Sequence, residues 1–222
     1  MREGLLVAVD GPDGSGKSTL TKMIAEKKEA IIIKPTYFSS SSGARQIGEE
    51  FEKNKDYLRA SSREHNNYFL RAMRRNYQET IFPLLKENNF IILDSSEIRA
   101  LSFIMDRGEK GAIEETRGWI STNLINCGII PDLRVNFIGD PEDLMKNLFS
   151  KEVLDSGDPR DKEEMKKRLS CYRRAIKEVQ AIQEEVPRIE IEVKHAGEEK
   201  EKYLEKLSER ILGEINSKLL LV

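Results

Sequence analysis

The sequence has no long hydrophobic run, and this absence argues against a helical membrane protein. Its apolar stretches fall well short of the roughly 20 residues that a bilayer-spanning helix needs. The first residues, MREGLLVAVD, lack the long apolar segment and the small-residue cleavage site of a secretory signal peptide. The sequence therefore predicts a cytoplasmic protein without a membrane partner.

The sequence also has little cysteine and almost no net charge. Its two cysteines, Cys127 and Cys171, have neither the density of a disulfide scaffold nor the spacing of metal ligands, so we expect reduced thiols. The 37 basic and 39 acidic residues leave a formal net charge of −2, which gives no overall positive field to attract nucleic acid. No nucleic-acid partner is expected.

What the sequence does contain is an alternation of short apolar runs and longer amphipathic segments. Its 222 residues suit a single domain, residues 1–222. Most apolar runs are continuous, which is typical of a parallel sheet with helices on both faces. The predicted strands are Leu5–Asp10, Ala30–Lys34, Phe90–Asp94, Leu133–Ile138 and, at an edge because it alternates, Arg188–Val193. The predicted helices are Lys17–Lys28, Ser61–Glu87, Gly111–Cys127, Pro141–Phe149, Asp161–Glu185 and Glu198–Lys218. Polar segments broken by Gly or Pro predict mobile loops at Phe38–Gly43 and Lys151–Lys162.

A Walker A motif follows the first predicted strand and opens the first predicted helix. Its glycines let backbone N–H groups turn inward around phosphates, and the helix directs its positive end at them. Lys17 is predicted to reach the β- and γ-phosphates, and the Ser18 hydroxyl to ligate Mg²⁺. The ATP-binding residues predicted from this motif are Gly11, Asp13, Gly14, Ser15, Gly16, Lys17, Ser18 and Thr19.

Asp94 ends the third predicted strand, at the position of a Walker B carboxylate. Ligands of open α/β sheets bind at the carboxyl ends of the strands, so Asp94 is predicted to hold Mg²⁺ through water. Asp94 also has the right place to cap a following helix, and the two roles are compatible.

The stretch VAVDGPDGSGKSTLTKMIA resembles the opening of thymidylate kinases, with Asp10 in place of the family's usual Glu and with Asp13 matching. The likeness continues in Phe69–Arg75, in Ile81–Leu85 and in the run GIIPDLRVNFIGDPEDLMKNL. Asp155 lies about where the family's lid begins, and Tyr172 about where a lid-proximal tyrosine falls.

The resemblance implies a P-loop kinase fold with a five-stranded parallel sheet of order 2-3-1-4-5, a small lid near residues 151–162 and a homodimer. It implies an ATP-dependent, Mg²⁺-requiring kinase that phosphorylates a nucleoside monophosphate, with dTMP the first candidate. Asp13 would then lie near the acceptor sugar and phosphate, and Phe69 would stack on the base. Arg74, with Arg71 one turn back, would contact the polar edge of the base.

The sequence departs from the family pattern where arginines are expected. Ser95 replaces the arginine that clamps the acceptor phosphate, Gly14 rules out a catalytic arginine in the loop, and Ser156 replaces the lid arginine. We expect the missing charges to come from other residues: Arg160 as the catalytic arginine, and Arg99 or Arg45 at the acceptor phosphate, because a guanidinium arm is long.

The serines themselves leave two interpretations open. Ser95 and Ser96 either begin a helix or hydrogen-bond an uncharged acceptor group, in which case Lys34 supplies the missing charge.

Two other functions stay open. A deoxynucleoside kinase would need a general base, but Lys34-Pro35 stands where those kinases place Glu-Pro. A nucleotide-binding regulator or pseudokinase would fit the missing arginines, whereas the retained Lys17, Ser18 and Asp94 favour catalysis.

Overall fold

The computed structural model describes residues 4–34, 41–53, 62–108, 110–125, 130–149, 159–194 and 199–219. Five parallel strands form one sheet of order β2-β3-β1-β4-β5, which confirms the strand order that the resemblance implied. The strands are β1 (Leu5–Asp10), β2 (Ile31–Ile33), β3 (Phe90–Asp94), β4 (Leu133–Gly139) and β5 (Arg188–Val193).

Helices follow most strands. They are α1 (Lys17–Lys28), α2 (Ser42–Lys53), α3 (Ser62–Asn76), α4 (Phe82–Lys86), α5 (Glu97–Arg107), α6 (Lys110–Trp119), α7 (Pro141–Phe149), α8 (Lys162–Ile182) and α9 (Lys200–Leu219). Two π-helical segments, Tyr77–Ile81 and Ile120–Ile125, follow α3 and α6. None of the described helices is long and apolar enough to cross a membrane.

The core has two layers because the apolar strands bury both faces of the sheet. One layer contains Leu6 and Ala8 of β1 with apolar side chains of α3, α5 and α8. The other contains Val7 and Val9 of the same strand with side chains of α1, α7 and α9. Strand β5 lies at an edge, as its alternating sequence predicted, with Ile191 buried and Glu190 exposed.

Several predicted boundaries differ from the structure. The predicted helix Ser61–Glu87 is divided into α3, a π-helical turn and α4, because Pro83 has no N–H to continue the ladder of hydrogen bonds. The predicted loop Phe38–Gly43 is wrong at its end, where Ser42 and Gly43 begin α2. The rest of that loop, and the predicted lid up to residue 158, lie outside the described residues.

Helices α2 and α5 have no counterpart among the predicted helices. Helix α2 begins where Ser41 Oγ accepts a hydrogen bond from the Ala44 N–H, 3.1 Å away. Helix α5 begins where Ser96 Oγ accepts from the Ile98 N–H at 3.3 Å. Both are N-caps of the kind that serine favours.

Candidate nucleotide-binding site

The glycine-rich loop lies at the carboxyl end of the central strand β1. The chain turns through Gly14 and Gly16, at φ 79° and 74°, and α1 then begins at Lys17. The amino-terminal end of α1 therefore points its free N–H groups and its positive dipole at the space above β1. This is the geometry that binds phosphate.

Gly14 has no room for a side chain. A Cβ atom there would lie 2.3 Å from the Leu144 carbonyl oxygen of α7, and the positive φ is one that only glycine adopts without strain. The loop packs so closely against α7 that position 14 has no space for an arginine side chain in this structure.

Lys17, Ser18 and Asp94 meet at the carboxyl end of β3. Lys17 Nζ lies 3.1 Å from Asp94 Oδ1, and Ser18 Oγ donates to Asp94 Oδ2 at 3.2 Å. Lys34 Nζ lies 3.9 Å from the same Oδ2 atom. Three residues that the sequence singled out for phosphate and metal binding are thus brought together, with Lys34 as a second cation beside them.

The turn after Asp94 shows what the two serines do. Ser95 has φ 82°, is buried, and its N–H donates to the Val9 carbonyl at 2.9 Å. Ser96 caps α5 and also binds Asp10, through its N–H at 2.7 Å and its hydroxyl at 2.5 Å. The helix-starting interpretation describes Ser96 in the structure, and the prediction that Asp94 caps the following helix is wrong, because Ser96 is the cap.

Arg134 is a buried residue that the sequence reasoning missed. Its guanidinium donates to Ser96 Oγ at 3.1 Å and to Gln183 Oε1 at 2.7 Å, and forms ion pairs with Glu97 and, at 3.8 Å, with Asp10. Burial raises the pKa of Asp10, and the charge of Arg134 and the Ser96 hydrogen bonds oppose that rise. The signal for this network was a charged residue inside the apolar strand LRVNFI, since a buried charge requires partners.

A cavity of about 400 Å³ opens between the loop, α5 and α8. That volume suits a small ligand. Its wall includes Asp13 of the loop, Arg99 and Phe103 of α5, and Arg168 and Tyr172 of α8. Burial alone would lower the pKa of Arg99. The pKa nevertheless lies above its usual value, because groups that can carry negative charge surround the guanidinium: Tyr172, Asp13, Asp94 and Asp10. The cavity therefore joins an acidic loop residue to basic residues of two helices.

Arg168 is the second residue that sequence reasoning missed. Its NH1 atom lies 3.7 Å from Asp13 Oδ2, and its NH2 atom lies 2.7 Å from Glu164 Oε1. Its side chain is only 25% exposed. The sequence signal was the spacing of Arg168 and Tyr172, which puts both on one face of α8.

Other predicted site residues lie elsewhere in the structure. Arg160 is exposed, and its backbone N–H donates to Glu164 Oε2 at 2.9 Å. Arg71 and Arg74 line a different cavity, of about 560 Å³, between α2 and α3. Arg45 is exposed on α2, and Phe69 packs against the core. Their proposed contacts with substrate stay predictions.

Known proteins resemble this chain over most of its length. The family model described as thymidylate kinase matches residues 9–194. A thymidylate kinase of Mycoplasmoides gallisepticum is 24% identical over 188 residues, which are 80% of this chain and 84% of that protein. A thymidylate kinase of Clostridium novyi is 27% identical over 152 residues, 67% of this chain and 72% of that protein. The structure of a thymidylate kinase from Candida albicans has a TM-score of 0.67 at 18% identity, covering 98% of this chain and 94% of the other, and supports the fold.

Proposed function

Because the chain belongs to the thymidylate kinase family, we propose that it transfers the γ-phosphoryl group of ATP to the 5′-phosphate of dTMP, giving ADP and dTDP. The observation that carries this function is the meeting of Lys17, Ser18 and Asp94 beside the glycine-rich loop. Phosphoryl transfer depends mainly on alignment of the two substrates and on neutralisation of phosphate charge, and this arrangement would hold and neutralise the donor phosphates.

The donor half of the site is the loop and the start of α1. Backbone N–H groups of the loop would surround the β- and γ-phosphates, and the Lys17 ammonium would move from Asp94 to the phosphate oxygens. Thr19 is exposed on the first turn of α1, where it would contact the nucleotide from outside.

Mg²⁺ fits the oxygen atoms present here. Ser18 Oγ and the Asp94 carboxylate lie 3.2 Å apart, and both are the hard oxygen ligands that Mg²⁺ prefers. Among the described residues no cluster of three or more acidic, His or Cys groups forms a metal cage. A site of one or two carboxylates completed by substrate phosphates is the usual way in which Mg²⁺ binds, and the bound ion would neutralise charge on the phosphates.

The acceptor half would occupy the cavity between the loop, α5 and α8. Arg99 would hold the 5′-phosphate, which needs a cation because Ser95 provides none. Asp13 of the loop lies on the wall of the same cavity as Arg99. The sugar and phosphate of the acceptor would meet the donor there. Tyr172 is buried on the wall of the cavity, so its ring would limit the shape of the acceptor that enters.

The experiment is a coupled assay of ADP formation with Mg²⁺-ATP and a panel of nucleoside monophosphates and free deoxynucleosides. Turnover with dTMP that exceeds turnover with every other acceptor supports the function. Preference for a free deoxynucleoside would point to the deoxynucleoside kinase alternative. ATP binding without turnover on the whole panel would point to a regulator.

The homodimer implied by the resemblance belongs to this proposal. Sedimentation equilibrium of the full chain tests it, since a single species with the 25.5 kDa mass of one chain would contradict it. The cytoplasmic location stays a prediction from the sequence.

A further inference from the structure

The transfer reaction needs cations close to the migrating phosphoryl group. The family resemblance implies arginines at positions 14, 95 or 156, and this chain has other residues at all three. Gly14 has no room for a side chain. Ser95 sits in a buried turn at φ 82° and hydrogen-bonds to β1. At position 156, where the resemblance implies the lid arginine, the sequence has a serine. An arginine that assists Lys17 in balancing the negative charge of the migrating group must therefore come from another place.

Arg168 lies beside the loop that would hold the donor phosphates. Its NH1 atom is 3.7 Å from Asp13 Oδ2, and Asp13 is part of the loop whose N–H groups would hold the donor phosphates. It also lines the cavity proposed for the acceptor. A guanidinium in this position borders both halves of the site, between the donor and the acceptor.

The side chain is also held in place. Glu164 Oε1 binds its NH2 atom at 2.7 Å, one turn before it on α8. Asp161 caps the start of this helix by accepting from the Glu164 N–H at 2.8 Å. Met165 and Leu169, on either side of Arg168, are buried in the core. A cation on a packed helix with a fixed partner loses little freedom when the substrate arrives, which is the condition for electrostatic catalysis.

Two other arginines are less suited to this role. Arg160 is exposed, and among the described residues its guanidinium forms no ion pair. Arg134 is buried, and its guanidinium already binds Ser96, Glu97 and Gln183 beneath the turn. Arg168 combines an ion pair to a loop residue, Asp13, with access to the cavity, whereas Arg99 on the wall of the same cavity is assigned to the acceptor phosphate.

We propose that Arg168 is the catalytic arginine of this enzyme, and that it donates hydrogen bonds to the non-bridging oxygens of the phosphoryl group during transfer. The inference rests on the proposed function. An oxygen of the acceptor 5′-phosphate attacks the γ-phosphorus, and the bond from that phosphorus to the β,γ-bridging oxygen breaks. ADP leaves with the electron pair, and the total charge is unchanged. Arg168 exchanges its contact with Asp13 for the phosphoryl oxygens, and Glu164 keeps the guanidinium oriented.

The test compares Arg168→Ala with Arg174→Ala in the dTMP assay. Arg174 is a matched control, since it is an exposed arginine on the same helix that lines a different cavity, beside α7. We expect Arg168→Ala to lower kcat by about 10²–10³-fold, as removal of one transition-state donor does, while the KM for ATP changes little. Added guanidinium ion should restore part of the rate. Arg174→Ala should keep the wild-type rate.

A second measurement separates catalysis from structure. Complex formation with Mg²⁺, ADP, aluminium fluoride and dTMP imitates the transferring group, so Arg168→Ala should weaken it far more than it weakens ATP binding. Arg168→Lys, which keeps a cation and most of the stem, should have intermediate kcat and serves as the test if the alanine variant does not fold.

The outcomes distinguish the two proposals. Wild-type enzyme without activity on the acceptor panel would overturn the proposed function and this inference with it. Active wild type, with Arg168→Ala within about threefold of Arg174→Ala, would overturn the inference alone. Equal losses in kcat and in ATP affinity, without rescue by guanidinium, would show a binding or structural role and would also overturn it.

Discussion

The Lys17 ammonium lies 3.1 Å from Asp94 Oδ1, so the cation of the phosphate loop and the carboxylate at the end of β3 form a largely buried ion pair. ATP and Mg²⁺ would separate this pair, since the lysine would go to the phosphates and the carboxylate to the metal. The pair thus holds both side chains in place before the substrate binds.

Lys17→Ala should strongly lower the rate of transfer while leaving the chain folded. Loss of one charge-stabilising donor in such a site lowers kcat by about 10²–10³-fold, and Ser18 and Lys34 still accompany Asp94 in the variant. The coupled dTMP assay and a thermal melt check this, with Lys22→Ala, an exposed lysine of the same helix, as the control. Turnover near that of the control would contradict the assigned role of Lys17.

Asp94→Asn should raise the Mg²⁺ concentration needed for half-maximal activity. An amide keeps the shape of the side chain but loses the negative charge that attracts the cation, and we expect a shift of about 10–100-fold. A Mg²⁺ titration at saturating ATP measures it, with Glu26→Gln, an exposed residue on α1, as the control. An unchanged Mg²⁺ requirement would mean that Asp94 only pairs with the cations Lys17 and Lys34.

Gly14→Ala should destabilise the protein and distort the loop. The new Cβ would lie 2.3 Å from the Leu144 carbonyl oxygen, in a conformation that costs an L-residue about 1–2 kcal/mol even without that contact. Gly118→Ala is the matched control, because among the described residues nothing beyond its own helix lies within 4 Å of its Cβ position in α6, and it should stabilise by about 0.5–1 kcal/mol. Chemical denaturation of both variants gives the comparison, and similar stabilities would contradict the packing described.

Arg134→Met should cost about 3–5 kcal/mol of unfolding free energy, because it leaves Asp10 and Glu97 buried without their cation. Burial already raises the pKa of Asp10 in the folded protein above its unfolded value of 3.8. The stability that this carboxyl contributes is therefore present below the unfolded pKa and is lost as the pH rises through the folded pKa. Removing Arg134 takes away a charge that lowers this pKa, so the folded value rises further.

The destabilisation by Arg134→Met should therefore be larger at neutral pH than near pH 4, where protonation removes the buried negative charge. Urea denaturation of wild type and variant at both pH values measures the difference. Arg188→Met, on the partly exposed start of β5, is the control and should show little pH dependence. A loss that is equal at the two pH values would mean that the carboxylates near Arg134 are solvated.

The sequence by itself determined the sheet, its edge strand and the phosphate loop. These follow from patterns that are local in the chain: continuous apolar runs, an alternating run at Arg188–Val193, and a motif of eight adjacent residues followed by α1. The strand order came from the family resemblance, and the parallel sheet agrees with it.

The tertiary structure decided which charges face the loop. Arg71 and Arg74, predicted to contact the acceptor base, line a cavity between α2 and α3, and their contact with substrate stays a prediction. Arg134 and Arg168 were not singled out, yet one ties β4 to the turn after β3 and the other reaches Asp13 from α8. Periodicity tells which face of a helix is apolar, but it does not tell which distant element that helix packs against. The partner of a long charged side chain depends on that packing, so only the folded chain could show it.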